Sequence, residues 1–232
     1  MKKLIFTVLT SIMLTSTAAL AGSIQVGVKA SQAFIEASGT ETTTAGTVTG
    51  GAANTNSTSV DNDTPLAGAY LEYSLDSSVL GQEGNEVTFG AHMTFGDADV
   101  SDKLQSRSDT AEDAAGSGSS GSVTYSANAE VSNYVNYYVE VPVIGSMFVK
   151  LGYAELDVTT KEDQDHHGSY GDASLDGTNY GIGFKGMHGN YNWKVAYEVT
   201  DWDSLALTST TSNKITADLD VDELALSVGY RF

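Results

Sequence analysis

Most of the residues in this sequence able to do chemistry are acids. Asp201 and Asp203 form one short row, and Asp218, Asp220 and Asp222 form another, each with a spacing of two. Residues two apart on an extended chain point to the same side. The spacing therefore predicts two facing rows of carboxylates. Like charges so placed repel, and a bound Ca²⁺ or Mg²⁺ would relieve them because hard cations take carboxylate oxygens. A second group is His166-His167 beside Asp163 and Asp165 in "KEDQDHHGSYGD". These are metal-ligand types, but adjacent histidines in a polar loop rarely converge, and a solvated loop is the better reading. Catalysis needs a nucleophile or water activator next to a base with its own orienting partner. The histidines are His92, His166, His167 and His188, and the chain has no G-x-S-x-G elbow, H-E-x-x-H helix or phosphate-cradling loop. No catalytic residue is assigned and no enzymatic activity is expected.

The remaining charge shows a pattern. Lys29, Glu72, His92, Glu140, Lys150, Lys185, Lys194, Glu198, Glu223 and Arg231 each sit inside an alternating segment. All of them occupy the phase opposite to the apolar residues. Ile24, Val26 and Val28 alternate in "SIQVGVKASQAF", Ala69, Leu71 and Tyr73 in "LAGAYLEYSL", and Val87, Phe89 and Met93 in "EVTFGAHMTFG". Val131, Val135, Tyr137, Val139 and Val141 share one phase of a long fourth segment. Four more follow: "SMFVKLGYAEL", "TNYGIGFKG", "NYNWKVAYEVT" and the closing "DELALSVGYRF". Strict alternation of this kind predicts strands with one oily and one polar face. Eight is an even number, as an antiparallel barrel with both ends on one side requires.

The connections alternate as well. Residues 77–85, 142–146 and 186–190 are short, whereas 37–65, 97–122, 157–176 and 201–220 are long and polar. Some of the long ones can continue as hairpins, since alternation in the fourth segment starts as early as Val123. The opening "MKKLIFTVLTSIMLTSTAALAG" has two lysines, an apolar run and a small-residue A-x-A end. It predicts a cleaved secretory signal over residues 1–21 and a barrel over 22–232. There is no cysteine, so stability rests on packing and hydrogen bonds.

The chain has 30 acidic and 11 basic residues and a formal charge of −19. That excludes a nucleic-acid binder, which needs a basic patch. Two orientations remain. A soluble sandwich would bury the oily phase, and a membrane barrel would turn it to lipid. The exported leader and the loop asymmetry favour the barrel. Aromatic residues also gather near both ends of the oily phase, with Phe89, Trp193 and Tyr230 near the short turns and Phe95, Tyr153 and Tyr180 near the long loops. Such belts suit bilayer interfaces. In that orientation the charged phase fills a narrow bore. Buried charge is tolerated when paired, so a Lys/Arg–Glu network is expected there, with small residues such as Gly68, Gly90 and Gly229 making room for it.

The stretches "NYVNYYVEVPVIGSMFVKLGYAEL", "GTNYGIGFKG", "YNWKVAYEV" and "LALSVGYRF" resemble the small Gram-negative outer-membrane β-barrels often called OmpA/OmpX-type or porin-like. The resemblance implies an all-β, eight-stranded antiparallel transmembrane β-barrel with long extracellular loops in the cell outer membrane. A barrel so placed is expected to contact outer-membrane lipid and lipopolysaccharide, and divalent ions held by the acidic rows would bridge to lipopolysaccharide phosphates. The resemblance also implies that Tyr230 and Phe232 act as a signal to the barrel-assembly machinery. A monomer is expected. The expected role is structural or surface-interacting. The alternative is a small porin-like channel for ions or small solutes.

Overall fold

Period-two alternation organises the whole chain into strands. The computed structural model describes residues 22–42, 55–76, 86–111, 121–163, 169–210 and 212–232, so the expected leader and the His166-His167 pair lie outside the described residues. Eleven strands follow in order: β1 (Gly22–Thr42), β2 (Thr55–Asp76), β3 (Glu86–Phe95), β4 (Ala98–Asp99), β5 (Gln105–Ala111), β6 (Gly121–Ile144), β7 (Met147–Asp163), β8 (Ala173–His188), β9 (Tyr191–Trp202), β10 (Leu205–Thr208) and β11 (Lys214–Arg231). All pairings are antiparallel, and the order β1-β2-β3-β6-β7-β8-β9-β11 closes when β11 pairs with β1. β4 and β5 continue the line of β3 along β6, and β10 continues that of β9 along β11. The result is a barrel of eight staves.

The register fixes its shape. Val26 faces Leu71, then Ala91, Tyr137, Tyr153, Thr178, Asp201 and Asp220 on successive strands. Asp220 returns to β1 at Glu36, ten residues above the start. A stagger of ten over eight strands tilts them by about 40°, and a barrel this narrow has room inside only for its own side chains.

The two faces exchange character partway up. On β11, Leu226 and Leu224 point outward and are exposed, with Glu223 inside and buried. Above them Asp222, Asp220 and Asp218 take the outward phase, while Val221 and Leu219 pack inside. β7 behaves alike, with Lys150 below and Ala154, Leu156 and Val158 above on the same inward phase. Oily outside and charged inside suits lipid, and the reverse suits water. The exchange therefore marks the outer membrane surface. The lower outward face is apolar, including Val28 at 55% exposed, Met93 at 50% and Phe184 at 53%. Tyr73 shares that face but is buried, with its ring lying over Gly22 of the neighbouring strand.

The β6–β7 register shifts twice, once at the Pro142–Ile144 turn and once inside the wall where the sequence conceals it. Between Ser132 and Val135 the β6–β7 register shifts, and Asn133 sits at φ 53°. A bulge adds a residue to one strand and reverses the phase beyond it. Val131, expected outside with Val135, therefore packs inside against the apolar cluster. Much of the expected long-loop sequence is strand as well. β1 and β2 stay paired up to Thr42 and Thr55.

Candidate functional site

The bore is built in layers from the short-turn end upward. Lowest is a polar layer. Gln25 donates to Ser74 Oγ at 2.7 Å, Ser74 meets Thr88 at 2.9 Å, and Asn192 bonds to Gln25. Arg231, expected within the ion network, instead lies at this rim, where its guanidinium bonds to Glu86 and to Ser23. Its strand ends there, below the level where the buried carboxylates converge. A cavity of about 360 Å³ opens at this end, lined by Gln25, Glu86, Lys185 and Arg231 among others.

Next come the charges, in two linked groups. Lys194 bridges Glu72 and Glu140, at 2.7 Å from the latter, and Lys185 reaches Glu140 at 3.2 Å. Tyr138 donates to Glu72 Oε1 at 2.6 Å. Higher, Lys150 bonds Glu198 at 2.8 Å, and Lys29 bonds Glu198 at 3.2 Å and Glu223 at 2.9 Å. The Lys150 ammonium also stands 4.0 Å from the centre of the Tyr138 ring, which ties the two groups together. Four lysines thus meet four glutamates. This is the condition under which buried charge is stable, because an ion out of water needs a partner; Lys185, on the lower cavity, alone of the four lysines keeps some contact with solvent. Gly90 makes this possible: a Cβ there would stand 2.5 Å from Cζ of Tyr138. The space left within this layer is about 20 Å³, close to what one water occupies.

His92 is buried beside this network without a hydrogen bond from its Nδ1, and its ring meets Tyr134 edge-on at 5.8 Å. Tyr134 in turn meets Trp202 at 5.9 Å. An amide step separates charge from oil, with Asn136 donating to Asn179 at 2.8 Å and Asn179 to Thr200 at 2.9 Å.

Above that step is a layer that sequence reasoning missed. Ala33, Ile35, Ala98, Val100, Ala154, Leu156, Val158, Leu175, Trp202 and Leu219 form one buried apolar cluster inside the barrel. Ala98 of β4 and Val100 just after it contribute to it from the wall, where β4 pairs with β6. A signal for this layer was present: Ala33 and Ile35 share the phase of Lys29, and Leu156 and Val158 share that of Lys150. It is concealed because Ala98, Val100, Val158, Leu175, Trp202 and Leu219 lie in stretches whose polar composition predicts loops.

The acidic rows lie on the outer wall. Asp201 and Asp220 face each other directly across β9 and β11. Tyr180 donates to Asp201 at 3.2 Å, Tyr197 to Asp222 at 2.6 Å, and Ser204 to Asp218 at 2.5 Å, while the Asp203 backbone N–H bonds the Asp176 carbonyl at 2.8 Å. Among the described residues no group of three or more His, Asp or Glu side chains is placed to hold a metal ion. The reason is geometric. Residues two apart on a strand are separated by roughly 7 Å, so the carboxylates stand in line rather than converge, and hydroxyls already occupy several of them. At the lower rim Tyr191, Tyr230 and Phe232 form an edge-to-face chain with ring centres 5.5 and 5.1 Å apart, and the Phe232 N–H bonds Ile24 on β1 at 2.9 Å.

A closed antiparallel ring with an oily lower wall, aromatic rims and paired charges inside is a small transmembrane β-barrel of the bacterial outer-membrane type. No family model matches the chain and no curated protein sequence matches it. Solved structures resemble it in fold. Ail, the attachment invasion locus protein of Yersinia pestis, solved with the heparin analogue sucrose octasulfate, is 16% identical over 91% of this chain and 97% of its own, with a TM-score of 0.41. The outer membrane protease OmpT from Escherichia coli is 10% identical over 94% and 100%, with a TM-score of 0.44. Neisserial surface protein A is 9% identical over 87% and 97%, with a TM-score of 0.33. At these identities activity does not transfer.

Proposed function

We propose that this protein is a closed outer-membrane barrel with a structural or surface-interaction role, carrying an acidic rim into the medium. The observation that supports the reading most is the double filling of the bore. An ion-paired layer with about 20 Å³ to spare lies under an apolar cluster that includes Trp202 and Leu156. Water and ions crossing it would have to separate buried ion pairs and then enter an oily layer, and both steps are costly. Catalysis has no part in this reading. In the same reading Tyr230 and Phe232 present the closing strand to the assembly machinery, and the finished barrel is a monomer, since β1 and β11 leave no sheet edge unpaired.

Planar-bilayer recording tests this. The expected result is no steady conductance from the wild type, and its appearance when the apolar layer is thinned in Leu156→Ala/Trp202→Ala. Steady channels from the wild type would overturn the closed-barrel reading in favour of a small porin-like channel joining the lower cavity to the outer mouth.

A further inference from the structure

His92 lies inside the bore but takes no part in its ion pairs. It projects inward from β3 and is 3% exposed. Gly68 on β2 makes the room, since a Cβ there would stand 2.5 Å from His92 Nε2. In register it lies between Tyr70 of β2 and Asn136 of β6. Its neighbours can be taken strand by strand, and all are among the described residues. β1 and β7 present Lys29 and Lys150, and β9 presents Glu198, which both lysines already hold. β2 presents Glu72, bonded by Lys194 of β9 and by Tyr138. β6 presents the Tyr134 ring, and Glu140 bonded by Lys194 and by Lys185 of β8. β11 adds Glu223, which holds Lys29. Burial apart, the charges that act on His92 are those of Lys29, Lys150 and Glu198.

The layer is balanced, four lysines against four glutamates. A proton on the imidazole would add a fifth cation, which would have to share a carboxylate already in use. Uncompensated charge in a buried site is costly. Histidine in water changes its charge near pH 6.5. An opening of the layer wets the ring and lets it take the proton that the closed layer has no counter-charge to hold. We propose that His92 is an acid trigger for the bore: a proton taken up at its imidazole releases the ionic layer on which the apolar plug rests. The release reaches the plug by contact, because the His92 ring meets Tyr134 edge-on and Tyr134 meets Trp202. Above about pH 6.5 opening takes up no proton, and the layer is unaffected. Below it, each further pH unit favours the open form by up to about tenfold. The device acts on the ionic layer whether or not the bore conducts.

The test compares the wild type with His92→Gln, both refolded in detergent. Urea unfolding is measured at several values between about pH 7.5 and about pH 4.5. The other histidines and the carboxylates titrate in both chains, so the difference between the two reads His92. Over this range the unfolding constant of the wild type should rise at least tenfold more than that of the variant, with the gap opening below about pH 6.5. His92→Phe serves the same purpose if His92→Gln loses its heat-modifiable gel mobility. A second measurement follows the plug. The chain has two tryptophans, so in a Trp193→Phe background Trp202 reports alone. Acrylamide should quench Trp202 at least twofold more at about pH 4.5 than at about pH 7.5, and His92→Gln in the same background should remove that difference. Parallel pH profiles for the two chains, or a Trp202 that acid leaves shielded in both or exposes equally in both, would overturn the proposal.

Discussion

Lys150 and Glu198 join at 2.8 Å across a strand that lies between them. Lys150 is in register with Gly181 of β8, and Gly181 is in register with Glu198 of β9. The middle position has no side chain, so the two long ones close over it. A Cβ at Gly181 would come within 3.1 Å of Glu198 Cγ. Residues 48 apart in sequence, on non-adjacent strands, are thereby locked to one height in the bore.

Removing Glu198 should leave Lys150 buried without a carboxylate, while Lys29 keeps Glu223. Glu198→Ala is expected to cost about 3–5 kcal/mol of unfolding free energy. Lys150→Met/Glu198→Met should recover most of it, since no ion is then stranded. Urea titration of the refolded barrel in detergent reads both. An unchanged midpoint for the alanine variant would refute a tight network.

The phase reversal on β6 depends on Asn133 at φ 53°. Its Nδ2 also donates to Asp157 at 3.0 Å. A β-branched residue is strained in this conformation, and Asn133→Val should destabilise by about 1–2 kcal/mol. Glycine relaxes the backbone but gives up the Asp157 bond, so Asn133→Gly should lie near the wild type. The same titration separates the two.

Asp201 and Asp220 stand opposite each other as like charges on the water-facing wall. Asp220→Asn should raise stability by about 0.2–1 kcal/mol at low ionic strength. The gain should shrink as salt is added, because exposed charges are screened. Thermal unfolding at two salt concentrations measures this.

Burial is the largest influence on Glu162 and raises its carboxyl; the Tyr170 N–H opposes the rise and Glu41 adds to it. A carboxyl raised by folding binds its proton more readily in the folded chain. Its unfavourable contribution is therefore present at neutral pH and fades as pH falls through the raised value. Glu162→Gln should melt above the wild type at pH 7, and the gap should close as pH is lowered toward the ordinary carboxylate range. A gap independent of pH would show that this carboxyl is not strained by burial. Lys161 is shifted upward by its bonds to Glu130 and Asp99, so its contribution is constant below its ordinary value and is lost only in strongly alkaline solution, outside this window.

The lower half of the barrel could be read from residue parity alone. Lys29, Glu72, Glu140, Lys150, Lys194, Glu198 and Glu223 fall on one phase, and the structure turns that phase inward. Two things were hidden for physical reasons. A bulge inserts a residue without altering composition, so the passage from Val131 to Val135 reads as unbroken alternation although it reverses. Above the membrane the solvent changes from lipid to water, so the same alternation means the opposite. Leu219 and Asp220 follow the rule of Leu226 and Ser227 with the faces exchanged. Periodicity reports that two faces differ, not which medium each one meets. Where Lys150 would find its partner was also illegible, because it depends on the ten-residue stagger of the ring.

The exchange of faces also governs how this molecule enters its membrane. The outward carboxylates Asp201, Asp218, Asp220 and Asp222 end in water on the far side, with an oily cluster behind them. A chain arriving from the near side must drag these four anionic tips through hydrocarbon before the ring can shut. Transit, rather than the final pairing of β1 with β11, then becomes the slow event. Unassisted entry into pure lipid vesicles should quicken when acidity neutralises the tips.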